Sequence, residues 1–352
     1  MRVVVTGHKG YIGPVFARHA VERGLGWKLT GVDAGFFPDL TGPDPARFFA
    51  HEIRADVREL GDDALRGADA VVYLAAVSND PMGVEFETAT MQINAEAAVA
   101  LAKRCRALGV KRFVFASSCS IYGAAGEAPR AEGDPLNPLT TYARSKVEAE
   151  NKLRPPAGDD FSVTCLRFAT ACGASPRLRL DLVLNDFVAS AVLTGRIEVL
   201  SDGSPWRPLI HVEDMARAIE WALTRGGDPF LSINVGSQQW TWQIGQLARD
   251  VAGVLGNVEV SINTAAQPDN RSYRVDFSLF RRLAPDHQPH KQFAQAVREL
   301  RDMVERIDFG GQPFRKSRHL RLNVLRELKA ANKLTQDLRW MAERPVELMP
   351  AK

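Results

Sequence analysis

Tyr142 and Lys146 stand four residues apart in a stretch whose pattern predicts a helix opening at Asn137-Pro138-Leu139-Thr140. That spacing puts the phenol and the ammonium on one face, pointing into the same cleft. A phenol titrating near 10 is a poor base at neutral pH. A cation within about 4 Å supplies on the order of 4 kcal/mol at intermediate dielectric, enough for a shift of two or three units. Ser118 stands at the carboxyl end of a strand predicted from Phe113 to Ala116, where it could hydrogen-bond a reacting hydroxyl and set its direction. Singly, each residue has an ordinary explanation: a surface Tyr–Lys pair, a turn-forming serine. What makes them a set is their order along the chain, together with a glycine-rich turn and a strand-end acid.

The turn is in MRVVVTGHKGYIG, Met1 to Gly13. Val3, Val4 and Val5 are β-branched and apolar, as a strand buried on both faces requires. They run into Gly7, Gly10 and Gly13, and Tyr11 onward reads as helix to about Arg23. Strand, glycine turn and helix N-terminus make an anion site, with backbone N–H groups aimed at a pyrophosphate and no Cβ in its way. Asp33 ends a second strand (Lys28 to Val32), 20 residues after Gly13, where an acid meets the adenosine ribose hydroxyls. A third strand ends in Asp56-Val57-Arg58, with a carboxylate in reach of an adenine amino group, and a fourth (Ala70 to Leu74) is followed by small Ala75-Ala76. The expected dinucleotide site is therefore Gly7, Gly10, Tyr11, Ile12, Gly13, Asp33, Asp56, Val57, Leu74, Ala75 and Ala76, with Tyr142 and Lys146 at the nicotinamide ribose.

Strands and helices alternate through this region, including a helix expected from Glu85 to Leu108 and a strand from Ser162 to Arg167. The fold class that follows is α/β: a Rossmann-type, doubly wound parallel sheet with its ligand at the strand carboxyl ends. Beyond Arg167 the pattern loosens: a loop at 169–180, helices at 181–194, 212–224 and 241–254, and short strands at 197–200 and 232–235. These pieces read as a smaller mixed α/β substrate cap. The expected division is 1–170 for the dinucleotide domain, with 205–240 contributing, 171–290 mainly cap, and 291–352 a helical C-terminal extension.

The chain has 352 residues, 45% hydrophobic and 25% charged, which suits a globular protein of one large or two fused domains. A net charge of +3 is too small to argue for nucleic acid, and no nucleic-acid partner is expected. The basic excess sits in the tail, where 281–352 holds 16 Lys/Arg against 9 Asp/Glu, interspersed as on a solvated face. A strand beginning at Arg2 leaves no room for a leader, and no apolar run reaches membrane-span length. The four cysteines lack zinc spacing and the seven histidines lack H-E-x-x-H, so no metal is expected, and reduced thiols point to the cytoplasm.

With GHKGYIG, Asp33, Asp56-Val57-Arg58, YLAAVSNDP, SSCSIYG (117–123) and YARSK (142–146), residues 1 to about 280 resemble the extended short-chain dehydrogenase/reductase superfamily, sugar-nucleotide branch. The resemblance implies NAD, a nucleotide-diphosphate sugar substrate and a homodimer. It implies Tyr142 as acid/base, Lys146 as its partner and Ser118 as the hydroxyl-orienting residue. Relatives that eliminate water carry Asp-Glu after the serine position, and decarboxylases carry Glu two positions after it; here these are Cys119 and Ser120. The usual Arg-x-x-Asn reads Arg167-Phe168-Ala169-Thr170. Lys9 stands where some NADP users carry a base, whereas Asp33 would repel a 2′-phosphate, which favours NAD. By likeness, Asn185, Arg207 and Arg271 hold the substrate diphosphate; Arg177 and Arg179 are further candidates, with a solvated loop the preferred reading for both. The reading that follows is a sugar-nucleotide epimerase working through transient oxidation, at carbon 4. The alternatives are a ketoreductase or dehydrogenase, then a decarboxylase or dehydratase, or a non-catalytic NAD sensor. No role for the tail follows from the likeness.

Overall fold

The computed structural model describes residues 1–39, 41–126, 128–267, 269, 271–341 and, as backbone, 348–350; the rest of the expected tail lies outside the described residues. The strands are β1 (Arg2–Thr6), β2 (Lys28–Asp33), β3 (His51–Arg54), β4 (Ala70–Tyr73), β5 (Arg112–Ser118), β6 (Ser162–Phe168), β7 (Thr170–Cys172), β8 (Arg196–Val199), β9 (Trp206–His211), β10 (Phe230–Val235), β11 (Thr241–Gln243), β12 (Glu259–Ile262) and β13 (Leu348–Pro350). The helices are α1 (Gly13–Glu22), α2 (Asp80–Glu85), α3 (Glu87–Met91), α4 (Ala97–Ala107), α5 (Thr141–Leu153), α6 (Val183–Thr194), α7 (Val212–Thr224), α8 (Ile244–Leu255), α9 (Ser278–Leu283), α10 (Phe293–Val304) and α11 (Arg321–Ala330).

Seven strands run parallel in the order β3-β2-β1-β4-β5-β6-β10, and β13 lies antiparallel beside β3. This is the expected doubly wound sheet. Val3, Val4 and Val5 of β1 are all buried: Val3 and Val5 join the cluster that includes Phe16 of α1 and Ile219 of α7, while Val4 joins the opposite face with Val71 and Phe86. Strand order reverses between β1 and β4, so the crevice for a ligand opens there, over Gly7 and Ala75. A third cluster, from α6, α8, α10 and the short β8 and β9, forms the cap.

Several expected elements differ. The helix expected to begin at Tyr11 begins at Gly13, because Gly7 has φ +71 and Gly10 N–H closes a turn on Gly7 O at 2.9 Å. The helix expected over 85–108 starts earlier, at Asp80, where Asn79 Oδ1 caps Met82 N–H at 2.9 Å, and it is not continuous. Phe86 (φ −124) interrupts it and 92–96 is a π turn, which lets Asn94 bond both polar groups of Val77 at 2.9 Å. Residues 170–172 form a strand rather than loop, and the helix expected from Thr241 starts at Ile244 after a strand.

The C-terminal extension is two pieces with different partners. Ala296, Val297, Leu300 and Val304 of α10 complete the cap cluster, while Leu325 of α11, with Leu334 and Leu338, joins the sheet's own cluster beside Ile53, Val57 and Ile93. The +7 tail is thus not merely a solvated face. Among the described residues no helix is long and apolar enough to cross a membrane, and no cluster of side chains could hold a metal ion.

Candidate active site

The crevice between β1 and β4 contains a narrow cavity of about 80 Å³ that opens toward a cleft of about 690 Å³ under the cap. Gly7, Gly10, Asp33, Asp56, Val57, Leu74, Ala75 and Ala76 line the first; Tyr11 and Ile12 line the second. The glycines are required by space. A Cβ on Gly7 would stand 2.6 Å from Ala75 N, and one on Gly13 would stand 2.4 Å from His8 O. The first-turn N–H groups of α1 have no side-chain cap, as an anion site needs.

Asp33 is held by two backbone donors, Lys9 N–H at 3.0 Å and Gly35 N–H at 2.7 Å, which fix its carboxylate at the rim. Lys9 does not offer a free cation there: its Nζ lies 3.4 Å from Glu52, whose carboxyl is held below the usual range mainly by a hydrogen bond from His8. A 2′-phosphate at this rim would meet the Asp33 carboxylate. Asp56 lines the cavity but already accepts from Arg58 at both oxygens (2.5–3.1 Å). Tyr11 lines the cleft, and its buried phenol donates to Gly173 O at 2.5 Å. The cradle, the ribose-side carboxylate and the uncapped helix end fit a dinucleotide.

Thr140 caps α5 by accepting Ala143 N–H at 3.1 Å, and the helix carries Tyr142 and Lys146 to the cleft beside Ser118. Lys146 is buried, donates to Ala116 O at 2.8 Å and lies 5.5 Å from the Tyr142 ring centroid. Burial lowers its pKa to about 7 and raises that of Tyr142 to about 12, with a hydrogen bond between Tyr142 and Ser118 opposing the latter rise. The expected drop in the phenol pKa is therefore not built into the protein alone: desolvation outweighs the Ser118 hydrogen bond and the Arg179 charge. Ser118 Oγ also donates to Ser120 Oγ at 2.9 Å.

Beneath these, Ser117 donates to Glu150 at 2.5 Å, Glu150 pairs with Arg167 at 2.7 Å, and Arg167 donates to Tyr122 at 3.0 Å. Arg167 thus serves this buried network. Cys119 is buried and donates to Arg167 O at 3.0 Å, and burial pushes its thiol well up.

Of the expected diphosphate ligands, Arg207 and Arg271 line the cleft. Both pair with Asp269 (3.1 and 2.6 Å), and Arg271 also reaches Asp80 on the opposite wall at 2.6 Å. Asn185 is not brought to them. It is fully buried, and its amide is used by Gly173 N–H, Arg179 O and Tyr11 OH. The expectation of a solvated loop at Arg177 and Arg179 is also overturned, since both are buried. Arg177 donates to Phe37 O and Asp39 O, and Arg179 pairs with Asp181 at 2.8 Å and reaches Ser78 Oγ at 3.1 Å on the cleft wall. A guanidinium satisfied by backbone carbonyls and one acid can be buried, which charge density alone does not reveal. Sequence reasoning also missed Arg321, which lines both cavities from the C-terminal extension.

Among known proteins, an uncharacterised UDP-glucose epimerase of Bacillus subtilis strain 168 is 27% identical over 299 residues, covering 77% of this chain and 88% of its own. A UDP-glucose 4-epimerase of Streptomyces lividans is 29% identical over 257 residues, 67% of this chain and 76% of its own. Among solved structures, an NAD-dependent NDP-hexosamine 5,6-dehydratase of tunicamycin biosynthesis superposes with TM-score 0.76 at 24% identity, over 88% of this chain and 99% of its own, a likeness of fold. The model of the NAD-dependent epimerase/dehydratase family matches residues 3–236. A match running from β1 through β10, across every parallel strand of the sheet, makes the chain a member of that family, within the extended short-chain dehydrogenases/reductases, and its cofactor is NAD.

Proposed function

We propose that the protein is an NAD-dependent sugar-nucleotide epimerase that inverts carbon 4 of the sugar through transient oxidation. The observation that carries this reading is an acid/base set with no available carboxylate beside it. Ser118, Tyr142 and Lys146 share one cleft wall, and positions 119 and 120 are a buried cysteine and a serine. The cleft's own acids are engaged: Asp80 with Arg271, Asp181 with Arg179, Asp186 with Arg315, Asp269 with Arg207 and Arg271, and Glu198 with Arg196. Positions 119 and 120 therefore offer no carboxylic acid beside Ser118 for elimination or decarboxylation. UDP-glucose 4-epimerase relatives support the same reading and favour a uridine diphosphate sugar.

Bound NAD supplies a hydride acceptor and donor and, when oxidised, a positive ring that lowers the pKa of a neighbouring phenol. Tyr142 Oη takes the proton of the sugar hydroxyl and later returns it. Ser118 Oγ hydrogen-bonds that hydroxyl and holds it toward Tyr142. Lys146, already partly neutral near pH 7 by its burial, stabilises the phenolate whenever it carries its charge. Arg207 and Arg271 exchange Asp269 for the substrate diphosphate, for which a forked guanidinium is suited. Asn185, placed by the fold beneath the glycine turn, orders Tyr11 and Gly173 rather than touching substrate.

Tyr142→Phe tests the assignment. The ring stays and only the proton carrier goes, so epimerisation of a UDP-hexose should fall by at least about a hundredfold while NAD remains bound. Undiminished turnover in this variant would remove the mechanism.

A further inference from the structure

Arg321 is a buried cation that the mechanism above does not use. Its residue is only 8% exposed, yet among the described residues its guanidinium has no carboxylate within ion-pair distance and no hydrogen-bond acceptor. It stacks on the Phe37 ring at 4.5 Å. Its Nη1 lies 3.9 Å from where a Cβ on Gly10 would stand, which places it over the glycine turn at the junction of the two cavities. Burial, reinforced by Arg179, lowers its pKa to about 9, and the more distant carboxylates of Asp181 and Asp33 offset this only in part. A buried arginine beside uncapped helix N–H groups lacks an anion.

The segment that delivers it is fastened over the adenosine side. Arg58, which grips Asp56, also donates to Asp337 O (2.7 Å) and Leu338 O (3.0 Å). Trp340 Nε1 donates to Ala34 O at 2.8 Å, and Arg326 pairs with Glu85 at 2.7 Å. Leu325 and Leu338 line the 80 Å³ cavity, and Leu338 does so in the left-handed region at φ +54, unfavourable for leucine yet imposed here at a 1% exposed position.

We infer that residues 321–340 form a roof over bound NAD, with Arg321 as a ligand of the cofactor diphosphate. The roof also gives NAD a slow exit, because Leu325 and Leu338 must lift before the adenosine can leave. This deepens the proposed function, since an epimerase must keep the cofactor it has reduced.

The test measures binding without any sugar nucleotide, so its outcome is independent of which sugar is turned over, or whether any is. Full-length wild type, Arg321→Ala and Arg321→Lys are stripped of cofactor and titrated with ADP-ribose and with adenosine, and release of NAD is followed by exchange with labelled NAD. A lost charge-assisted contact predicts ADP-ribose binding about 10- to 100-fold weaker in Arg321→Ala, with partial recovery in Arg321→Lys. Adenosine, which lacks phosphate, should bind all three alike, and NAD should leave Arg321→Ala faster. Unchanged or tighter ADP-ribose binding, or equal losses for adenosine and ADP-ribose, would overturn the assignment, the latter by showing a purely structural role. Fast NAD exchange in wild type would overturn the roof.

Discussion

Asp33→Asn should collapse the preference for NAD over NADP. The carboxylate is fixed by Lys9 N–H and Gly35 N–H at 3.0 and 2.7 Å, so its remaining lone pairs face the cavity. An ionised acceptor is worth about 1.5–3 kcal/mol per ribose hydroxyl against about 1 for a neutral one, so over two hydroxyls the amide should weaken NAD by roughly 5- to 1,000-fold. A 2′-phosphate about 4 Å from the carboxylate meets on the order of 4 kcal/mol of repulsion per unit of charge at an effective dielectric of 20. Removing one charge therefore shifts the NAD:NADP ratio by about a thousandfold or more. Glu52 limits the gain for NADP, because its carboxyl is held ionised by His8 and Lys9; Asp33→Asn/Glu52→Gln should bind NADP tighter still. Calorimetric titration of the cofactor-stripped proteins with both dinucleotides reads the ratio. A change smaller than tenfold, or a wild type with no preference, would refute the reasoning.

Lys146→Met should raise thermal stability at low pH. The lysine's folded pKa of about 7 lies below its unfolded value near 10.4, so its charge opposes folding in full below pH 7 and is relieved as pH rises from about 7 to about 10.4. The variant's stability gain, on the order of a few kcal/mol by this linkage, should be largest near pH 6 and vanish near pH 10 in parallel melting curves; a gain independent of pH contradicts it. Arg271→Lys keeps the charge but loses the fork shared with Asp269 and Asp80, so UDP-sugar affinity should fall about tenfold with NAD affinity unchanged. Equal substrate binding in a direct titration would remove Arg271 from the diphosphate site.

The parts legible from the amino-acid order are those in which local chemistry and tertiary placement agree. Val3–Val5 can only be a strand buried on both faces, Gly7 and Gly13 stand where a Cβ would strike Ala75 or His8, and Thr140 caps the helix that carries Tyr142. The rest depended on partners far along the chain. Alanines favour helix throughout 89–107, but the π turn is selected by the bonds Asn94 makes to Val77. Arg177 and Arg179 look solvated until the loop after β2 and Asp181 are folded against them. The amphipathic pattern of α10 and α11 marks an apolar face on each, without saying that one belongs to the cap and the other to the sheet. Charge within the tail likewise could not single out Arg321 from its solvated neighbours.

The most direct test of the account follows the hydride. Protein purified without added NAD is given a UDP-hexose deuterated at carbon 4, and epimer composition, label position and NADH absorbance are recorded together. Transient oxidation within a closed site predicts two interconverting epimers, the deuterium retained at carbon 4, and no accumulating NADH. Stoichiometric NADH, or label passing to NAD supplied in solution, would contradict it and make the protein a dehydrogenase or reductase.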